Sequence, residues 1–594
     1  MKIVYKEKRG ENYLEGTSNV FLSDQSGGYF CTATPQTTQY TGWLTYEKDS
    51  NELYKTINNI YAHPATDIII FTGTNATRIT GATEEKFKLC EKQLEYTIKN
   101  PPYTVILELD FRSINDYDDK GRIYTIETKN EYTLIKYTKY TDNSLFEIKE
   151  QRYLAIKGLV NIQEGTEWIK KEYSFDASRN TKSEFYVFKL KLNFPSNKKT
   201  TIKFGYGRTE EEATLNANKK NKEIKKLLST RKNKTANQAL SALNNLIVYK
   251  ENKPVIFAGF PWFYQAWSRD ELISLGGIIA SKNKKIAKQI ILRHLEEISP
   301  EGMVRNRFPS SELGSADATG WLYKRIDDLI KMNAFTKKEL ERINETIKKS
   351  IHTTISHKMR NGLIYNEPKE TWMDTTTPEG KDSRAGYRIE IQALTLKIFE
   401  LAKKMNKIGT EEYKKYKKIE EDLKHNTIRT MLINGNLIDG LDETMTPDFT
   451  KRPNVFLAYY IYPELLSNKD WEKTFDNVLN ECWLEWGGLS SISKNNELFQ
   501  KRHTGPDNRS YHRGDSWLFM NNISSICMHE VNQKKYQEKI IKILQSSSEE
   551  MLTKGLLGQC AELSNADILQ STGCLAQAWS AATLAEALIK TQTK

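Results

Sequence analysis

EEEATLNANKKNKEIKKLLSTRKNK, residues Glu210–Lys234, separates two stretches of different hydrophobic period, and that difference decides the fold. Before it, from Met1 to about Tyr206, the chain runs in short segments such as TVILELDF, GRIYTIET, YTLIKYTKY, SLFEIKE, RYLAIKGLV and EFYVFKLKLNF. These are rich in Val, Ile, Thr, Tyr and Phe, alternate in part, and are divided by Asn, Asp, Gly and Ser, which is the pattern of strands joined by turns. We expect an antiparallel β-sandwich over residues 1–207, with GGYFCTATPQTTQYTGWLTYE from Gly27 as a strand and hairpin region. After Thr235 about eleven segments, among them ELISLGGIIA, NKKIAKQIILRHLEEI, YRIEIQALTLKIFELAKKM and CLAQAWSAATLAEALI, carry apolar residues at i, i+3, i+4 spacing. So many helices with few strands between them close most naturally into a ring of pairs, each burying one face inward and another against its neighbours. That predicts a helical domain over residues 235–594. The dividing stretch, residues 208–234, is strongly charged and lacks a wide apolar stripe, so it is expected to be a linker helix packed on a surface.

A chain of 594 residues is too long for one core, and its 30 Tyr, 22 Phe and 11 Trp suffice for large ones. The net charge of +12 comes from 88 Lys+Arg against 76 Asp+Glu. Both signs are abundant and no recognition motif accompanies the lysines, so the surface reads as Lys/Glu-rich and solvated, not as a nucleic-acid face. The six cysteines (Cys31, Cys90, Cys482, Cys527, Cys560, Cys574) show no CxxC spacing and the eight histidines no HExxH, so neither a disulfide framework nor a metal site is expected, and no cofactor. MKIVYKEKRGENYLE has no apolar signal core, and runs such as DIIIF near Ile68 are too short to cross a bilayer. We therefore expect a cytoplasmic protein without a membrane partner.

The chemistry concentrates around FAGFPWFYQAWSRDELISLGG, residues Phe257–Gly277. Phe260, Trp262, Phe263, Tyr264 and Trp267 crowd beside the pair Arg269–Asp270. Flat apolar rings next to a forked cation and a carboxylate suit a sugar, whose C–H faces stack on aromatics while its hydroxyls take bidentate hydrogen bonds. A buried helix start with an Arg–Asp pair on local backbone is the plain alternative. Aromatic-plus-carboxylate loops then recur at helix junctions: Asn306, Arg307 and Asp317; Trp372 and Asp374; Arg384, Tyr387 and Glu390; Arg452 and Asn454; His512, Asp515 and Trp517; Gln559, Glu562 and Asp567. Such loops imply one concave site at one end of the ring.

GGYFCTATPQTTQYTGWLT, FAGFPWFYQAWSRDELISL, GLIYNEPKETWMDTT, RAGYRIEIQAL, RPN, YHRGDSW, LGQCAEL and GCLAQAWS occur in this order. In that order they resemble the amylo-α-1,6-glucosidase family, which comprises archaeal and bacterial glycogen debranching enzymes and the glucosidase half of the eukaryotic debranching enzyme. The resemblance covers the N-terminal sandwich and nearly all of the helical domain. It implies a β-sandwich followed by an (α/α)6 barrel related to glucoamylases, with glycogen or another branched α-glucan as substrate and inverting release of glucose.

Inversion needs two carboxyl groups roughly 6.5–9.5 Å apart, one protonated to meet the glycosidic oxygen and one ionised to activate water on the opposite face. By the resemblance Asp374 in TWMD is the general acid and Glu562 in GQCAEL the base. From local sequence alone Asp374 reads first as an N-cap or an Asp in a Thr-rich turn, and Asp567 and Glu390 are rivals for the base. Arg269 and Asp270 resemble the pair that holds the terminal glucose in related barrels, which would make the enzyme exo-acting. Trp262, Trp267, Trp372 and Trp517 are candidate stacking platforms, and Asp317, Arg384, Glu390 and His512 candidate sugar ligands. Relatives often carry WGRD where this chain has WSRD, with Ser268 in place of Gly, and His-Gly where it has Thr41–Gly42. Neither change removes a carboxylate. A glucoamylase-like α-1,4-glucosidase and a non-catalytic glycogen-binding protein are the competing functions.

Overall fold

The computed structural model describes residues 2–6, 20–32, 36–129, 131–141, 147–194, 198–220, 228–230, 233–310 and 312–591. The contacts divide the chain into two units, one of Met1–Leu227, Asn244–Val248 and Leu552–Gly558, the other of Leu228–Leu243, Tyr249–Met551 and Gln559–Lys594.

Alternation builds the first unit. Along the strand Thr83–Cys90, Phe87 and Leu89 are buried while Lys86 is exposed, so one face is apolar and the other wet. Strands of this kind pair antiparallel into two sheets, of nine and seven strands among the described residues. Their inner faces share a core that includes Phe30, Trp43, Ile57, Phe87, Tyr96, Leu107, Phe111, Tyr137 and Phe204. Burying each such side chain contributes about 1.5–3 kcal/mol before the entropy of ordering is subtracted. This is the antiparallel sandwich that the alternation predicts.

Of the stretch expected as a linker helix, Glu210–Asn218 is helical, with the Thr209 side chain accepting a hydrogen bond from Glu212 N and three acids in the first turn where the helix dipole favours them. The helix lies on strands Ile148–Lys157 and Thr200–Gly207 and buries Ala213 and Ala217. Glycine makes that approach possible, because a Cβ on Gly205 would stand 2.2 Å from Ala213 O. Residues 221–227 and 231–232 of the stretch lie outside the described residues.

Helices of two kinds alternate in the second unit. Ser268–Ala280, Ala318–Ile330, Ile389–Met405, Asn454–Ile461, the first half of Leu518–Thr553 and Ala578–Thr591 are buried almost all round. Lys284–Glu297, Lys337–Thr353, Glu411–Met431 and Asn468–Cys482 bury one stripe each. A helix apolar on every side belongs inside and a striped one outside, so the two kinds form concentric layers. The inner helices touch in sequence order, and Ala578–Thr591 packs back on Ser268–Ala280 to close the ring. Cys527 Sγ reaches Phe456 O at 3.2 Å, and Phe519 stacks on Trp579 with ring centroids 4.3 Å apart, seating the Leu518 helix between its neighbours. Asn532, at φ −159° and ψ 84°, breaks Leu518–Thr553 into an inner and an outer half. The result is the (α/α)6 barrel.

The sequence expectation missed the helix Asn468–Cys482, although Trp471, Phe475, Val478, Leu479 and Cys482 follow the helical period and Ser467 caps its start. Among the described residues no helix is long and apolar enough to cross a membrane.

Candidate active site

Each outer helix carries the chain back to the same end of the ring, so the inner helices run parallel and their N-termini gather there. Two-residue strands lead into four of them: Ala266–Trp267, Tyr387–Arg388, Ser516–Trp517 and Ala576–Gln577. Arg269, Asp270 and Glu390 sit in first turns and Asp317 at a helix start, where unpaired backbone N–H groups and the helix dipole favour carboxylates, whereas Asp374, His512 and Glu562 stand in the loops between helices.

Arg269, in the first turn of Ser268–Ala280, is the hub of one wall. Its Nε donates to Asp317 Oδ2 at 2.7 Å, Nη1 to Asp374 Oδ2 at 3.0 Å, and Nη2 to the carbonyls of Glu370 and Thr371 at 3.3 and 3.0 Å. Asp374 stands out from this wall with its side chain 42% exposed, although Trp372 and Met373 before it are buried. His512 Nε2 lies 3.5 Å from its other oxygen. Arg513 Nη2 donates to Thr375 O at 2.7 Å, holding the next residue of the same loop.

Glu562 stands at the head of a three-stranded ladder of Ser516–Trp517, Leu563–Ser564 and Ser571–Thr572. The Tyr511 hydroxyl donates to Oε1 at 2.5 Å and Cys574 N–H to Oε2 at 2.9 Å. Gly573, at φ +65°, lets the carboxylate come this close, since a Cβ there would stand 2.4 Å from Oε2. Its rival Asp567 lies exposed, paired with Arg502 at 2.8 Å. Asp270 is buried and accepts from Gln577 Nε2 at 3.1 Å.

Four residues expected to contact sugar, Glu390, Arg384, Trp372 and Trp517, are placed otherwise by the structure. Glu390, taken as a sugar ligand or alternative base, has both oxygens on Arg384, at 2.6 and 3.2 Å, and both residues are buried. Arg384 in turn binds Asp439 at 2.9 Å, and Arg452 joins Asp439, Asp448 and Asp382 to the same network. This pair is internal scaffolding, because its hydrogen-bonding capacity is spent inside the protein. Trp372 and Trp517, taken as stacking platforms, are 2% and 3% exposed and offer no open face. Trp372 Nε1 donates to Asn454 Oδ1 at 2.8 Å, and His512 stacks on Trp517 with centroids 5.0 Å apart at 7°, so the two tryptophans hold the histidine that faces Asp374. Trp262 and Trp267 are half-buried, and the Arg307 guanidinium lies over the Trp267 ring at 5.5 Å. Sequence reasoning passed over Tyr511, although it stands inside the quoted YHRGDSW, and Asp439, which no quoted motif contains.

The charges are unequal. Burial pushes Glu562 up to about 7 against the hydrogen bonds from Tyr511 and Cys574, and the Asp374 charge adds to it. Burial likewise pushes Asp270 up to about 8, with Arg269 opposing and the charges of Glu562 and Asp374 reinforcing. Asp374 also suffers desolvation, but the His512 hydrogen bond and the Arg269 charge prevail and hold it below the usual carboxylate range. Three carboxyl groups that feel one another this way do not all ionise near neutral pH, which is the condition for proton exchange in a cleft.

A sequence profile described as amylo-alpha-1,6-glucosidase matches residues 226–586, more than half of the chain. No curated protein matches. Among solved structures, a bacterial glucoamylase complexed with acarbose superposes over 100% of this chain and 97% of its own, with TM-score 0.64 and 11% identity, a likeness of fold. A GH63 mannosylglycerate hydrolase from Thermus thermophilus in complex with Tris matches 59% of this chain and 99% of its own, with TM-score 0.46 and 12% identity.

Proposed function

The chain belongs to the amylo-alpha-1,6-glucosidase family of glycoside hydrolases, and from that premise we propose that it is an inverting, exo-acting enzyme releasing glucose from α-1,6 branch points of glycogen or limit dextrin. The observation that carries this reading is the pair of unlike carboxyl groups, Asp374 exposed on the cleft and Glu562 buried between Tyr511 and Cys574. Asp374 gives its proton to the glycosidic oxygen as the bond from that oxygen to C1 breaks. Glu562 takes a proton from the water whose oxygen bonds C1 from the other face, and β-glucose leaves.

In the free protein Glu562 is the group that holds a proton and Asp374 the one that is charged. That is the arrangement one turnover leaves behind, so the next turnover requires the proton to return to Asp374. Glucan supplies the drive: sugar hydroxyls that draw the Arg269 hydrogen bond away from Asp374, and the loss of cleft water, both raise its proton affinity. Arg269 and Asp270 hold the non-reducing glucose, Trp262 and Trp267 flank it, and the protein works in the cytoplasm.

The test is glucose release from a glucanotransferase-treated limit dextrin and from a linear maltooligosaccharide, with the anomer followed by NMR. β-Glucose from the branched substrate alone is expected. Faster release from the linear chain would make the protein an α-1,4-glucosidase, and none from either would leave a glucan-binding protein.

A further inference from the structure

Glu550 takes no part in the chemistry above, yet it is a carboxyl group 1% exposed in the last turns of Leu518–Thr553, with no cation paired to it among the described residues. Its Oε1 accepts Ala561 N–H at 3.2 Å and the Ser571 hydroxyl at 2.6 Å. Ala561 immediately precedes Glu562, and Ser571 pairs with Ser564 in the ladder that Glu562 heads. Glu550 thus ties both strands of the hairpin that carries Glu562, and does so from a different element. Without it the buried Ala561 N–H would have no acceptor, and a buried donor left unmade is costly.

We infer that Glu550 is a positioning residue for Glu562: its single oxygen, shared between Ala561 and Ser571, sets the spacing of the hairpin strands and hence the aim of the Glu562 carboxylate. The inference rests on Glu562 being the base proposed above. Burial pushes the Glu550 carboxyl up to about 7, so the site tolerates a neutral acid, and a neutral amide with the same acceptor oxygen should serve in its place.

The test measures kcat and KM on the branched substrate, with unfolding followed by circular dichroism, for Glu550→Gln, Glu550→Ala, Ser571→Ala and the double variant Glu550→Ala/Ser571→Ala. Glu550→Gln is expected to stay within about twofold of the wild type, and Glu550→Ala to lose roughly tenfold or more in kcat with KM nearly unchanged, as small misplacements of a reacting group do. Ser571→Ala should fall between them and add nothing in the Glu550→Ala background. A folded Glu550→Ala with wild-type kcat overturns the inference, as does a Glu550→Gln that falls as far as Glu550→Ala. If Glu550→Ala does not fold, Ser571→Ala decides, and an unchanged kcat overturns. Glu562→Gln is the reference: should it turn over at the wild-type rate, the reading of the base fails, whereas an inactive Glu562→Gln beside a fully active Glu550→Ala removes only the role of Glu550.

Discussion

Arg269 Nη1 lies 3.0 Å from Asp374 Oδ2, and the same guanidinium binds Asp317 and the backbone of the Asp374 loop. One side chain therefore ties Asp374 to its neighbours and, with His512, holds its carboxyl below the usual range. Replacing it by Lys keeps a charge but loses the fork. Arg269→Lys is expected to lower kcat/KM by roughly 10²-fold, seen as a fall in both kcat and substrate affinity in steady-state assays.

The two carboxyl groups are separable by leaving group. Asp374→Asn and Glu562→Gln should each abolish turnover of the branched glucan while leaving binding and fold intact. With α-glucosyl fluoride, whose leaving group needs no proton, Asp374→Asn should recover much of its rate and Glu562→Gln should not. The opposite recovery would exchange the two roles.

The pair carries one proton in the working state, so kcat/KM should fall as pH rises through about 7, where the buried Glu562 group loses it. The acid limb should lie below the ordinary carboxylate range, because Arg269 and His512 hold Asp374 down. The Tyr511 hydrogen bond favours the ionised Glu562, so Tyr511→Phe should move the alkaline limb upward and lower kcat roughly tenfold. A pH–rate profile in which that limb moves down would contradict this assignment.

Glu390 and Arg384 are expected to matter for stability. Both are buried, and removing Glu390 leaves Arg384 with Asp439 as its remaining carboxylate, breaking a buried pair at a cost of about 3–5 kcal/mol. Glu390→Ala should lower the unfolding free energy by that amount in a denaturant titration, with KM of the folded fraction unchanged. A raised KM at full stability would return Glu390 to the sugar.

The closing contact of the ring is a glycine contact. A Cβ on Gly277 would stand 2.4 Å from Ala582 O, and one on Gly276 2.1 Å from Glu586 Oε2. Gly277→Ala should force the Ser268 and Ala578 helices apart and cost about 1–3 kcal/mol, measurable as a loss of unfolding free energy.

The two-texture reading on either side of Glu210–Lys234 needs only side-chain period, a local property, so sandwich and helical ring were legible in sequence. The motifs singled out Asp374 and Glu562, but both stand in loops between helices, whose course the helical period does not record. Tertiary structure alone decided which polar residues spend their hydrogen bonds on the protein. Glu390 and Trp372 stand in motifs that look like sugar contacts, but Arg384 and Asn454 take them. Tyr511 meets Glu562 across 51 positions, and the burial that raises Glu562, like the His512 and Arg269 contacts that hold Asp374 down, comes from residues distant in sequence. Period and composition record the direction a residue faces. They carry no record of which distant partner it meets or how much water remains there, and those two quantities set proton affinity.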